Sequence, residues 1–405
     1  MIFNPKIAFM GAARERVVSE WFQFGKNAAH NMVVEQAPVG SSPKMYELAL
    51  YSSISDYSLM YTVMHTLDDG KAYAYHINQA SDSTTAFLYC FVCGEGTFRF
   101  AKPLSGTPGV LAAPFLEEEA IWVCERAKLR RYSGIHKQLI LDKELSLDGP
   151  GSTPITKLGD CLYVGTDNGH YYQIDPETMD YKVFSVEDPF IGSGAVSDGT
   201  NVYFGSDNGL LYWRSIADFD TTGGVLDLTD VASDAGNVRS TVMMDEDGFL
   251  YFTTQGGYLW CCFYDGGLKV YWNAKLGATS TSTPTKVGDR IYVGYYSGFS
   301  AGGVQCVTVS FDEEENVVTS VAPVASGFPV QGSIVVMGDG TGTDYLYFNT
   351  NAHKGAGYCY SFDGAIGRQV WRTNDGTYGL DGMAIDGGYV VFGDDFNIHI
   401  VSDRS

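Results

Sequence analysis

The sequence predicts an all-β protein, an eight-bladed β-propeller with four-stranded blades, its ring closed by an N-terminal strand pairing with the last blade. Three observations carry this reading. Residues 160–175 read DCLYVGTDNGHYYQID, and residues 200–215 read TNVYFGSDNGLLYWRS, nearly the same phrase 40 residues on. Weaker copies recur along the chain. The last copy is one strand short, and a spare strand stands near the beginning.

Each phrase reads as a β-hairpin. Asn168–Gly169 and Asn208–Gly209 fall at the centre of a two-residue loop in which both positions require positive φ. The flanks LYVG and HYYQI alternate with the period of a strand. The aromatic near the end of the second strand serves as a ruler: Tyr75, Trp122, Tyr163, Tyr203, Tyr251, Tyr292, Tyr347 and finally Val391, at steps of 40 to 55 residues. A short strand precedes each mark, as in STPITKLGD, RSTVMMDEDG and STSTPTKVGD, and an outer strand with an aromatic often follows, as in DYKVFSV, KVYWNAKL and RQVWRT. Four strands per repeat of this length make a propeller blade. The final unit, GLDGMAIDGGYVVFGDDFNIHIVSD, has three strands, while PKMYELALYS at 43–52 is left over ahead of the first full unit. Pairing the two closes the ring and removes an exposed sheet edge. The chain divides into a lead-in segment, 1–42, and a single propeller, 43–405.

Composition narrows the partners. The net charge is −22, with 26 basic against 48 acidic residues, which argues against a nucleic-acid surface because phosphate binding needs clustered Lys and Arg. No apolar run reaches the length of a membrane-spanning helix, so no membrane insertion is expected. The acidic runs Glu117–Glu119 and Asp312–Glu315 read as solvated loops. Residues 1–21, MIFNPKIAFMGAARERVVSEW, carry Arg14 and Arg16 after the apolar stretch, where a signal peptide carries its basic residues before it. The expected location is extracellular or at the cell surface if a signal was removed, and otherwise cytoplasmic or virion-associated.

The units resemble pyrroloquinoline-quinone-like propeller repeats, which follow S-x-P, then a Tyr-Val-Gly strand and a Gly turn, then Asp…Gly…Val-Trp. Asp363-Gly-Ala-Ile-Gly367 with Val370-Trp371 is the clearest match to the tail of that pattern, and EWFQFGKNAAHN at 20–31 resembles the Trp-x-x-Phe-Gly-x-Asn segment that often leads into such propellers. The resemblance covers roughly 20–403 and is similar to eight-bladed propellers of microbial surface and envelope-assembly proteins. It implies a fold far more than an activity, since propellers host many functions.

The resemblance also raises quinone chemistry, because related dehydrogenases hold a quinone and calcium over the channel, many beneath a vicinal disulfide. Cys261–Cys262 lie in a strand, YLWCCFYDG, where neighbouring side chains face opposite ways, so buried thiols are expected. Cys90 and Cys93, a CxxC inside the strand AFLYCFVCG, are separated in the same way and have no second pair at zinc spacing. Gly298-Phe-Ser-Ala-Gly302 matches G-x-S-x-G but falls in a hairpin loop with no helix after it. The seven histidines form no HxH or HxxxH pair. Asp245–Gly248 reads as a β-turn, and Gly338–Asp344 as a solvated hairpin loop in preference to a calcium loop. No cofactor and no catalytic or metal site is expected.

What stands out is polarity where packing alone would favour apolar residues. Arg239 in NVRSTV, Gln331 in PVQGS and Asp381 in GLDGM sit on segments assigned to innermost strands, and are the candidates for binding at the channel mouth. The expected function is a non-catalytic binding or scaffold propeller at a cell surface or envelope, with a protein or carbohydrate partner. The alternatives are a channel-centred enzyme, quinone-dependent or otherwise, and an intracellular or virion structural subunit.

Overall fold

The computed structural model describes residues 21–50, 58–67, 70–80, 83–314 and 316–403. The reading of the N-terminal 20 residues falls outside them. Among the described residues, eight four-stranded antiparallel sheets follow one another along the chain. Blade 3 is representative: Thr156–Leu158, Cys161–Gly165, His170–Ile174 and Tyr181–Ser185, from the channel outward. The last sheet is the exception that closes the ring. Ala384–Asp386, Tyr389–Gly393 and Asn397–Ser402 are completed on the outside by Lys44–Ala49, which pairs antiparallel with Asn397–Ser402 from Lys44↔Ser402 to Ala49↔Asn397. Blade 8 then packs beside blade 1, with its innermost strand against Ser58–Thr66. The architecture is an eight-bladed β-propeller.

The aromatic ruler has a physical basis. Each of its tyrosines is buried between blades and needs a partner for its hydroxyl. Tyr292 donates to Asp344 (2.6 Å), Tyr203 to Asp198 (2.6 Å), Tyr251 to Asp245 (3.0 Å) and Tyr347 to the Pro38 carbonyl (3.1 Å). Tyr163 accepts from Gln173 Nε2 (2.8 Å), and Trp122 donates its indole N–H to Glu117 (2.8 Å). Glu117, which also binds Arg131, is therefore a half-buried anchor and not part of a solvated loop. In four blades the residue directly across from the ruler tyrosine is a cysteine: Tyr75↔Cys90, Tyr251↔Cys261, Tyr292↔Cys306 and Tyr347↔Cys359. Burial pushes the thiols of Cys90, Cys306 and Cys359 up to about 12, away from nucleophilic reactivity. Between blades, aromatic faces meet directly, as where Tyr171 stacks on Phe204 at 3.8 Å.

Both hairpins depart from the two-residue loop: Ser206↔Leu210 encloses Asp207–Gly209, and Thr166 N donates to the His170 carbonyl (2.8 Å) around 167–169. Asn208 and Gly209 do take positive φ (67° and 75°), but of the first pair only Gly169 does (86°). Asn168 is held out of the left-handed region by its side chain, which accepts from Thr166 Oγ1 (2.6 Å) and donates to the Asp148 carbonyl (2.8 Å). Each turn is a three-residue loop ending in a left-handed glycine, Gly169 or Gly209.

The lead-in is built into the ring. Its residues visit the innermost strands one after another at their lower ends. Trp21 and Phe22 carbonyls accept from Met64 N (2.9 Å) and Leu116 N (2.7 Å) of blades 1 and 2, and Gln23 Oε1 accepts from Lys157 N (3.0 Å) of blade 3. His30 Nε2 lies 2.7 Å from the Ala195 carbonyl of blade 4. The Ala29 carbonyl accepts from Met244 N (3.0 Å) of blade 5, while Asn31 clasps Lys286 of blade 6, accepting at 3.0 Å and donating at 2.9 Å. Met32 and Val34 bracket Val336 of blade 7 at 3.0 and 2.8 Å. An innermost strand has no neighbour on its channel side, so its amides lack a ladder partner there; this segment supplies one for blade after blade.

Candidate functional site

In each blade the connection entering the innermost strand and the hairpin joining the second and third strands lie at the same end of the ring, because the strands alternate in direction. The lead-in occupies the other end. The channel is therefore a blind funnel, stoppered below and open above. Near its base Phe24 meets Tyr61 edge-on, with ring centroids 5.8 Å apart. The open cavity measures about 150 Å³ and is bordered by Arg239, Gln331 and Asp381 together with Thr281, Thr241 and Ser333.

The three candidate residues meet at one cavity, but not from innermost strands as expected. They lie in the connections that enter Met243–Met244, Val335–Met337 and Ala384–Asp386. In these connections regular pairing has not yet begun, and an isolated parallel bridge, Ser333↔Gly382, ties blade 7 to blade 8. Register separates the three. Aligned on the pairs Met243↔Tyr251, Thr285↔Tyr292 and Val335↔Tyr347, Arg239, Thr281 and Gln331 occupy the same rung, four residues earlier. Asp381 is three residues before Ala384, the partner of Val391, and so belongs to the next rung. On that rung Thr153, Ser193 and Ser240 turn into their blades, accepting from the amides of Gly165, Gly205 and Thr253 at 2.8 Å.

Asp381 likewise bonds within the wall, to Asn349 Nδ2 of blade 7 at 3.4 Å. Burial holds its carboxyl well above the usual carboxylate range. Among the described residues Asn349 Oδ1 has no hydrogen-bond partner. The sign follows directly. A carboxyl whose folded pKa is raised stabilises the fold only below its unfolded value near 3.8 and opposes folding as pH rises. Asp381→Asn is therefore expected to raise the melting temperature at pH 7.5 and to leave it unchanged at pH 3; equal shifts at both would contradict this account.

Arg239 is held by Asp207 through two parallel bonds, Nε to Oδ1 (2.9 Å) and Nη2 to Oδ2 (2.7 Å). That pair neutralises the charge and fixes the guanidinium, and among the described residues nothing bonds Nη1. Gln331 gives its carbonyl to Thr281 Oγ1 (3.3 Å), and among the described residues nothing bonds its side-chain amide. Backbone-to-hydroxyl bonds step from blade to blade around the wall below: Gly194 N to Thr241 Oγ1, Thr241 N to Thr283 Oγ1 and Thr283 N to Ser333 Oγ, at 3.0, 3.1 and 3.3 Å. Sequence reasoning missed Thr281 and this hydroxyl belt. Their signal was present in Ser152-Thr153, Ser240-Thr241 and Ser280-Thr281-Ser282-Thr283, ahead of the innermost strands of blades 3, 5 and 6.

Other candidate chemistry resolves simply. Cys261 and Cys262 are free and buried in different core clusters on opposite faces of their strand, with a bulge between them, and Cys90 and Cys93 are divided likewise. Among the described residues no three His, Cys, Asp or Glu side chains converge as metal ligands. Asp245 forms a turn, accepting from Asp247 N and Phe249 N. Asp344 corrects the reading of 338–344 as solvated: it is fully buried and binds Arg290 Nη1 (2.8 Å), Tyr292 Oη (2.6 Å) and Gly340 N (3.1 Å), joining blades 6 and 7. Removing one partner of such a pair strands the other, so Asp344→Ala is expected to cost about 3–5 kcal/mol in urea unfolding.

Fold and site together define an eight-bladed propeller with a stoppered, hydroxyl-lined funnel. Comparison with solved structures agrees on the fold alone. BamB from Moraxella catarrhalis superposes with a TM-score of 0.57 at 13% identity, covering 89% of this chain and 99% of that one. The computationally designed Ika8 protein gives 0.52 at 10% identity, covering 92% and 99%. A chain of the mitotic checkpoint complex gives 0.50 at 12%, covering 71% and 84%. No protein-family model and no curated protein sequence matches the chain.

Proposed function

We propose that this chain is a non-catalytic binding scaffold at a cell surface or envelope, which engages its partner with the open, funnel-bearing face. The observation that carries the reading is the lead-in stopper. It commits the lower end of the channel to holding the ring together and leaves one mouth available, bordered among the described residues by the loops of blades 2 to 8. The resemblance of the repeats to propellers of surface and envelope-assembly proteins supports the location. The likeness to a chain of a named multi-protein complex supports a role in assembly.

Cross-linking mass spectrometry on fractionated source material tests both parts. Partner cross-links are expected from Lys275 and Lys354, exposed at the open face, and not from Lys269, exposed at the opposite end, with the protein recovered in the surface or envelope fraction. Cross-links confined to the Lys269 end, or recovery in the cytosol alone, would sink the proposal.

A further inference from the structure

The funnel wall has two unlike adjoining arcs, with Pro154 and Gly192 of blades 3 and 4 completing the lining. Blades 5, 6 and 7 present Arg239, Thr281 and Gln331 side by side on one rung. Next to them around the ring, blades 8 and 1 contribute Leu380 and Leu59 on the same rung, with the Asp381 carboxyl beside Leu380 bonded to Asn349, and Tyr61 and Phe24 lie beneath. A ligand that fills such a space carries hydrogen-bonding groups along one edge and an apolar face beside it. About 150 Å³ is also the size of cavity that accepts one six-membered ring.

The polar arc is specific about chemistry. Arg239 offers a donor at Nη1, Gln331 a donor and an acceptor on its amide, and Thr281, whose hydroxyl hydrogen points at the Gln331 carbonyl, an acceptor. A carboxylate accepts only; it would leave the Gln331 and Thr281 oxygens facing it unmatched, and Asp207 has already neutralised the charge that would attract it. An ammonium donates only, and would meet the guanidinium. Hydroxyl groups donate and accept, and satisfy all three. We propose that the funnel binds a single pyranose ring, its hydroxyl edge on Arg239, Thr281 and Gln331 and a C–H face against Tyr61 and Phe24. Because the funnel is blind, the ring is the terminal residue of a glycan, whose remaining chain leaves by the one mouth. This rests on the scaffold reading above and names what its open face recognises.

The test uses the full chain and the methyl glycosides of glucose, galactose, mannose, N-acetylglucosamine and glucuronic acid. Saturation-transfer NMR is expected to detect at least one of them, with the strongest transfer to the C–H protons of one ring face. Titration of that glycoside is expected to show about tenfold weaker binding for Gln331→Ala and for the near-isosteric Thr281→Val. Unchanged circular dichroism identifies the folded variants, and Lys182→Ala, distant on an outer strand, should bind as the parent does. The proposal is overturned if no glycoside binds at about 20 mM, a weak-affinity ceiling, or if binding survives both funnel substitutions. A funnel that takes no sugar while the open-face cross-links persist would overturn the glycan and leave the scaffold reading standing, with a protein side chain as the occupant.

Discussion

A chain that begins at residue 43 is expected to lose cooperative folding, and Trp21→Ala in the full chain to lower stability by about 3–5 kcal/mol. Trp21, Met32 and Val34 are buried in the same cluster as Leu48, Val391 and Phe392 of the closing blade. The lead-in also partners the inner-strand amides of Met64, Leu116, Lys157, Met244, Lys286 and Val336. An amide left buried without a partner costs about 1–3 kcal/mol. Even if water rescues half of these amides, the loss rivals the roughly 5–15 kcal/mol by which a domain is stable. Urea unfolding followed by tryptophan fluorescence, with gel filtration, reads both changes. A truncated chain that stays monomeric and unfolds at nearly the parent midpoint would contradict the role given to the lead-in.

Acid is expected to destabilise the protein progressively from about pH 6.5 downward. His65 is buried against Tyr75 and the stacked ring of His136, and burial lowers its pKa to about 4. His76, buried with Nδ1 3.0 Å from Thr62 Oγ1 and no partner at Nε2, falls to about 3 despite the nearby charge of Asp394. In the unfolded chain both titrate near 6.5, so above that pH neither imposes a cost. As pH falls from 6.5 the unfolded state takes up protons that the folded state refuses, and stability drops until about pH 4 for His65 and pH 3 for His76. The loss is on the order of 3 kcal/mol for the first and somewhat more for the second, at 1.36 kcal/mol per pKa unit. His76→Gln, which keeps a group for Thr62, should flatten the fall of the urea midpoint between pH 6.5 and 4. Parallel curves for variant and parent would show that the imidazole is not the cause.

The repeat was legible because nearly the same interface recurs around the ring, with an aromatic at the ruler position in seven blades and Val391 in the eighth. A buried aromatic with a polar tip, a glycine hairpin and a short inner strand recur, and their spacing betrays the blade. Closure was legible for the same reason: one strand was missing at the end and one was spare at the start. The lead-in stopper was not, since Gln23, Ala29, His30 and Asn31 reach the blades through carbonyls and individual side chains that leave no periodic trace. The tyrosine–cysteine pairs were hidden because hairpin length varies, so partners that face each other stand at different separations in sequence. Polarity drew attention to Arg239, Gln331 and Asp381 together. Only the register of each connection shows that Arg239 and Gln331 share a rung while Asp381 turns to Asn349.

The most direct test of a ring held together by its own N-terminal segment is amide hydrogen exchange in the full chain at Leu116, Met244 and Val336. Each donates its N–H to the lead-in across the channel, and none of those bonds belongs to a blade. Exchange as slow as that of the central ladder in Leu250–Thr254 is expected. Exchange at the rate of an open sheet edge would mean that the segment does not occupy the channel, and the stoppered funnel would fall with it.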